Sequence, residues 1–102
     1  MPYKLRFAKR AAETLAALEH GGTNEEAKLE KVRRALKRLE QNPRHPGLAS
    51  HRYESFPVDR DVKVWDSYVE NRTPSAWRIF WCYGPNEGEQ PVITVLAITP
   101  HP

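Results

Sequence analysis

The start of the chain alternates apolar and polar positions and then changes to a helical period. Tyr3, Leu5 and Phe7 are separated by single charged residues, which predicts a short strand with one buried face. Over residues 9–20 the apolar positions recur every three or four residues, and the glycine pair that follows favours a helix end. We therefore expect a strand followed directly by a first helix.

A second helix is predicted from Thr23 to about Gln41. Thr23 and Glu26 have the spacing of a capping box, in which each side chain accepts a hydrogen bond from a free backbone amide at the helix start. One apolar stripe runs along this helix and consists of Leu29, Val32, Leu36 and Leu39. Pro43 ends the helix, because proline cannot donate the next helical hydrogen bond. The two helices are thus expected to form a hairpin.

Beyond a proline-containing loop at residues 42–50, β-branched and aromatic residues dominate the chain. Four segments suit strands: His51–Phe56, Val62–Glu70, Ser75–Tyr83 and Val92–Thr99. Short turns between consecutive strands favour an antiparallel meander of three or four strands. The whole pattern predicts a single α+β domain over residues 1–102, with the helical hairpin packed on one face of the sheet.

The formal charge of +3 conceals an asymmetry between the two halves of the 102-residue chain. Residues 1–52 contain 12 Lys and Arg against 6 Asp and Glu, whereas residues 53–102 contain 4 against 7. No apolar run approaches the roughly 20 residues of a membrane span, and the first residues lack the apolar stretch of a signal peptide, so we expect a soluble cytoplasmic protein. The lone Cys82 and four scattered histidines have no metal-ligand spacing, and neither a metal nor another cofactor is expected.

Part of the positive charge is concentrated on the second predicted helix. By helical spacing, Lys31, Arg34 and Arg38 lie opposite the leucine stripe, where they form a basic ridge. Such a ridge is either a solvated helix face or a contact for nucleic-acid phosphates or an acidic partner. Composition alone leaves both interpretations open.

The third predicted strand segment of the second half is unusually aromatic. Its two-residue period places four side chains on one face: Trp77, Ile79, Trp81 and Tyr83. The three tryptophans Trp65, Trp77 and Trp81 could form a base-stacking platform with Phe80 and Tyr83. Because a sheet that carries two helices needs such a face for its core, we expect these residues to be core instead.

The opposite face of the same strand places Arg78 among aromatic residues. Its guanidinium either stacks on a ring, pairs with Glu54, Asp66 or Glu70, or binds an oxyanion such as phosphate. His101 follows the last predicted strand and lies between two prolines, which limit the freedom of its backbone. An imidazole held in this way would suit a general acid or base near neutral pH.

Three short segments carry a resemblance to a known family. The helix end LEQNP at residues 39–43 resembles the pattern "L..NP", and AWRIFW at residues 76–81 resembles the strand "yRvvy". The segment VLAITPH at residues 95–101 resembles the end of the same family's domain. With the order of predicted elements, these segments resemble the RelE/ParE toxin superfamily of bacterial toxin–antitoxin systems, in particular its RelE/YoeB-like branch.

The resemblance implies a helical hairpin on a curved antiparallel sheet and metal-independent cleavage of mRNA on the ribosome. In that reaction the ribose 2′-hydroxyl attacks the adjacent phosphate, which requires a base, an acid and cations around the phosphorane. By position, Arg78 would stabilise the phosphorane, His101 would be the acid and Glu54 the base. Tyr68 stands where many members have an arginine and would donate a hydrogen bond, and Arg72 would supply the missing charge to bound RNA.

The same resemblance implies a cognate antitoxin as partner, besides mRNA and the ribosome that Lys31, Arg34 and Arg38 would contact. It also leaves two alternatives open, a ParE-like inhibitor of DNA gyrase without nuclease activity and an inert module that only binds an antitoxin. The positions of the Asp66 and Glu70 carboxylates distinguish these possibilities. If both carboxylates lie with the cations, they repel phosphate and favour the two alternatives. The oligomeric state stays open.

Overall fold

A computed structural model of the chain describes residues 2–70 and 75–100. The strands are β1 (Lys4–Phe7), β2 (His51–Arg52), β3 (Trp65–Tyr68), β4 (Trp77–Tyr83) and β5 (Val92–Pro100). The helices are α1 (Lys9–Glu19) and α2 (Glu26–Gln41), with short 3₁₀ turns at Gly22–Asn24 and Pro46–Leu48. The predicted α+β order of strand, two helices and sheet is confirmed.

The five strands form one mixed sheet in the order β1-β5-β4-β3-β2. Strands β2 to β5 are neighbours in sequence and pair antiparallel, as the short turns predict. Strand β1 pairs parallel with β5, with Lys4 opposite Val92, and this pairing was not predicted. A parallel pair requires a long connection, which the intervening helices and strands supply.

The helical hairpin begins and ends close to the predicted residues, but its second helix is not capped as expected. Helix α1 ends at Glu19, and Gly22 begins the following 3₁₀ turn with a φ of 67°, in the left-handed region that favours glycine. Thr23 lies in the 3₁₀ turn, and α2 begins at Glu26 without a side-chain capping hydrogen bond. The predicted capping box is therefore wrong, because the 3₁₀ turn shifts the start of α2 past Thr23. In the described part of the chain no helix is long and apolar enough to cross a membrane.

The main core lies between the helices and one face of the sheet. The leucine stripe of α2 faces the sheet, with Val32 and Leu39 fully buried, and meets the β4 residues Ile79 and Trp81. Burying a leucine of this kind stabilises the fold by about 1.5–3 kcal/mol. Tyr83 belongs to the same strand face but is 46% exposed, so the expected core stops short of it.

A β-bulge lets β5 contribute buried side chains to both faces of the sheet. The register passes from Phe80 opposite Ala97 to Trp81 opposite Val95, so Leu96 is the extra residue. Leu96 and Ala97 consequently both face away from the helices, where they pack with Phe80. The loop after β2 covers this second face by placing Phe56 on Phe80, with ring centroids 5.4 Å apart. The predicted strand over 51–56 is therefore shortened to two residues.

A partly buried chain of hydrogen bonds anchors the loop at 42–50 to the sheet. The indole of Trp81 donates to Ser67 Oγ at 2.8 Å, and Ser67 Oγ lies 2.6 Å from Ser50 Oγ. Ser50 in turn donates to the carbonyl oxygen of Pro43 at 2.9 Å. Because Ser50 uses its proton on Pro43, Ser67 is the donor between the two hydroxyls. This chain holds the loop beside the clefts described below.

Candidate functional site

Three of the predicted RNA-contacting residues line one cleft with Tyr68. The cleft has a volume of about 300 Å³ and lies between α2 and the end of β3. Lys31, Arg34 and Arg38 project from one face of α2, because helical residues three, four and seven positions apart point the same way. The opposite wall is formed by Tyr68 to Glu70. We call this site the basic cleft.

Glu70 is the carboxylate in the wall of the basic cleft. Its Oε2 lies 2.7 Å from Lys28 Nζ and 3.7 Å from Lys31 Nζ, and its Oε1 accepts a hydrogen bond from the Trp77 backbone amide at 3.0 Å. The hydrogen bond from Lys28, helped by the Trp77 amide and the charge of Lys31, lowers the pKa of Glu70 below its ordinary value. Glu70 thus stays ionised and offsets part of the charge of the lysines.

The two arginines of the basic cleft keep most of their charge available. Arg34 lies 3.5 Å from Glu30, but both side chains are more than half exposed, and such a pair contributes little. Arg38 makes no ion pair with any residue in the described ranges 2–70 and 75–100. Three cations therefore face one carboxylate, and the basic cleft keeps a net positive charge.

Arg78 lies beneath Tyr68 and is paired with a buried carboxylate. Its Nη1 donates to Asp66 Oδ1 at 2.8 Å, and Asp66 is fully buried. The guanidinium carbon lies 3.7 Å from the centroid of the Tyr68 ring, a cation–π contact. Of the three interpretations left open by the sequence, stacking and pairing with Asp66 are both observed. The Nε atom of Arg78 is buried and has no acceptor in the described part of the chain.

His51 joins this group although the sequence analysis did not single it out. Its Nε2 lies 3.1 Å from Asp66 Oδ2, and its Nδ1 lies 3.0 Å from the carbonyl oxygen of Ala49. The two residues meet because the β2–β3 register places His51 directly opposite Asp66. Periodicity within one segment could not reveal a contact that depends on strand register. The contact between His51 Nε2 and the Asp66 carboxylate joins the edge strand β2 to β3 in this structure.

Among the remaining predicted residues, Glu54 is described by the structure and does not join this group. Glu54 is exposed and lines a separate cleft, with Arg52 and Arg60 among its neighbours. Arg72 and His101 lie outside the described residues. The predicted catalytic set is thus represented here by Arg78 and Tyr68, and the predicted RNA contacts by the three cations of the basic cleft.

The arrangement suits the binding of an oxyanion by charge. Among the described residues, no group of three or more His, Cys, Asp or Glu side chains could hold a metal ion. Tyr68 connects the two parts of the site, because it lines the basic cleft and stacks on Arg78. A phosphate bound in the basic cleft would therefore lie beside the ring that covers the Arg78–Asp66 pair. Comparison of the chain with protein-family models, curated proteins and solved structures gives no significant match.

Proposed function

We propose that the chain is the toxin component of a toxin–antitoxin pair of the RelE/ParE type and cleaves mRNA on the ribosome. The observation that carries this proposal is the net positive basic cleft, in which Lys31, Arg34 and Arg38 converge beside Tyr68. A row of cations in a concave site neutralises successive phosphates and releases their counterions, which is the main source of RNA affinity. The antitoxin would be an acidic segment that competes for the same charges.

Cleavage would further require Arg78 to face the scissile phosphate. Its Nε is a buried donor without an acceptor in the described residues, so a phosphate oxygen could accept its hydrogen bond only after the side chains that cover it move. Tyr68 covers the guanidinium. As the phosphate enters, the Tyr68 ring would have to move away or contact the guanidinium together with the phosphate. The Asp66 carboxylate keeps Arg78 in place but offsets its charge. The stabilisation of a phosphorane by Arg78 is thus weaker than that of an unpaired arginine.

A charge-reversal pair on α2 tests the proposal. Arg34→Glu/Arg38→Glu reverses two charges inside the basic cleft, and Arg33→Glu/Lys37→Glu reverses two exposed charges of the same helix outside it. After expression in growing cells, primer extension on abundant transcripts should show new 5′ ends with the wild type and the control pair. The cleft pair should abolish them. Intact transcripts with the wild-type protein, or equal cleavage by both pairs, would refute the proposal.

The Arg78–Asp66 ion pair favours a second candidate, a toxin-like protein without nuclease activity. With Asp66 on Arg78 and Glu70 in the wall of the basic cleft, both carboxylates lie with the cations rather than away from them. That arrangement suits a ParE-like inhibitor of DNA gyrase or a module that only binds an antitoxin. A gyrase supercoiling assay separates these two, and either result requires that transcripts stay intact.

A further inference from the structure

Four aromatic side chains cluster at the end of the sheet that the helices leave uncovered. Trp65 and Trp81 stack with ring centroids 6.0 Å apart, and Tyr83 meets Trp81 edge-on at 5.0 Å. Tyr3 packs on Tyr83 at 5.8 Å from the start of the chain. Trp81 is buried, whereas Trp65 is half-buried and Tyr83 is 46% exposed. The cluster thus presents two accessible aromatic rings on a buried aromatic support.

This support fixes the two accessible rings in place. Trp65 and Tyr83 contact each other edge-on at 6.4 Å, so their planes are nearly perpendicular. They separate two clefts, of about 300 Å³ towards the loop that contains Arg44 and about 370 Å³ towards Lys63 and Asp61. A rigid aromatic ring between two open clefts accepts a flat ligand at a small cost in side-chain entropy.

An arginine lies beside each accessible ring. The guanidinium carbon of Arg52 is 5.7 Å from the centroid of Trp65, and Arg44 lines the same cleft as Tyr83. Neither arginine makes an ion pair with any carboxylate of residues 2–70 and 75–100. In the cleft towards Lys63 the charge is balanced by Asp61, whereas the described residues that line the cleft of Arg44 include no carboxylate. The flat rings suit the base of a nucleotide, and the uncompensated cations beside them suit its phosphate.

We propose that Trp65 and Tyr83, with Arg44 and Arg52, form a platform on which unpaired bases of a single-stranded RNA stack. A base stacks on an aromatic ring more strongly than an exposed guanidinium does, so a base displaces Arg52 from the Trp65 ring. The released guanidinium then binds the phosphate next to that base, as does Arg44 at Tyr83. The ligand class rests on the proposed function, whereas the platform itself lies outside the basic cleft.

Two RNAs that differ only in their bases test the proposal. Binding of a single-stranded RNA about eight nucleotides long is compared with that of an abasic strand with the same phosphates, by fluorescence anisotropy at fixed salt. Wild-type protein should prefer the RNA with bases by about tenfold, and Tyr83→Leu, which leaves Trp65 in place, should lower that preference to about threefold. Phe7→Leu is the control, because Phe7 is an exposed aromatic at the other end of β1. Leucine keeps the apolar contacts, and thermal unfolding verifies the fold.

Each remaining outcome has a definite meaning. If the wild type binds both strands equally and Arg34→Glu/Arg38→Glu weakens both, the platform is refuted while RNA binding in the basic cleft stands. If the wild type binds neither strand, the platform and the proposed function are both refuted. If Tyr83→Leu leaves the preference for bases unchanged, or if it weakens only the binding of an acidic peptide such as polyglutamate, the site is not a base platform.

Discussion

The substitution Asp66→Asn probes the buried ion pair at the centre of the candidate site. Asp66 is fully buried, with Oδ1 2.8 Å from Arg78 Nη1 and Oδ2 3.1 Å from His51 Nε2. Asparagine keeps the size of the side chain and one acceptor oxygen but removes the charge. The Arg78 side chain is only 9% exposed, so its guanidinium would lose its counter-ion without gaining water.

The geometry sets the size of the expected effect. Removing one partner of a buried ion pair destabilises a protein by about 3–5 kcal/mol, because the other charge stays buried. The cation–π contact between Arg78 and Tyr68 at 3.7 Å is retained and compensates in part, which places the effect near the lower end. We expect a loss of about 3 kcal/mol, a large fraction of the roughly 5–15 kcal/mol that stabilises a typical domain.

Urea unfolding followed by circular dichroism at pH 7 measures this loss, with Arg78→Met and the double variant completing a cycle. Arg78→Met alone leaves Asp66 without its counter-ion, whereas the double variant removes both charges. The sum of the two single losses in unfolding free energy should therefore exceed the loss in the double variant by about 2 kcal/mol. A loss below about 1 kcal/mol for Asp66→Asn, or additive effects in the cycle, would refute the view that the pair is buried and coupled.

Three further predictions concern the surroundings of the site. The lowered pKa of Glu70 makes its carboxylate stabilising above the ordinary value of 4.5, and this stability is lost as the pH falls through the lowered value. Glu70→Gln should thus cost about 1 kcal/mol in urea unfolding at pH 7, and the difference should vanish in acid. Gly47→Ala would place a methyl group 2.6 Å from Arg38 Nη1, so the Arg38 guanidinium has to move. We expect unchanged thermal stability, but the slope of log K for RNA binding against log salt concentration should fall in magnitude by about 0.7, the share of one phosphate contact. Ser67→Ala should cost about 1–3 kcal/mol in urea unfolding, because the buried indole of Trp81 loses its acceptor; a change below about 0.5 kcal/mol would contradict this.

The order of elements was predictable because it depends on local periodicity. The leucine stripe of α2 is spaced so that only a helix buries it on one side, and the alternation in β4 places Ile79 and Trp81 in the core. The basic face of α2 follows from the same helical spacing, which is why the sequence alone groups Lys31, Arg34 and Arg38. These features need no information about residues far away in the chain.

The features that decide the chemistry depend on register and on where one element stops covering another. The pairing of β2 with β3 brings His51 to Asp66, and that of β3 with β4 brings Tyr68 opposite Arg78, so a shift by one residue would separate both pairs. Tyr83 was expected in the core from its strand face, yet it is exposed. Local periodicity thus indicates which residues share a face. Which faces meet and which stay open is visible only in three dimensions, because those contacts join residues that no local period relates.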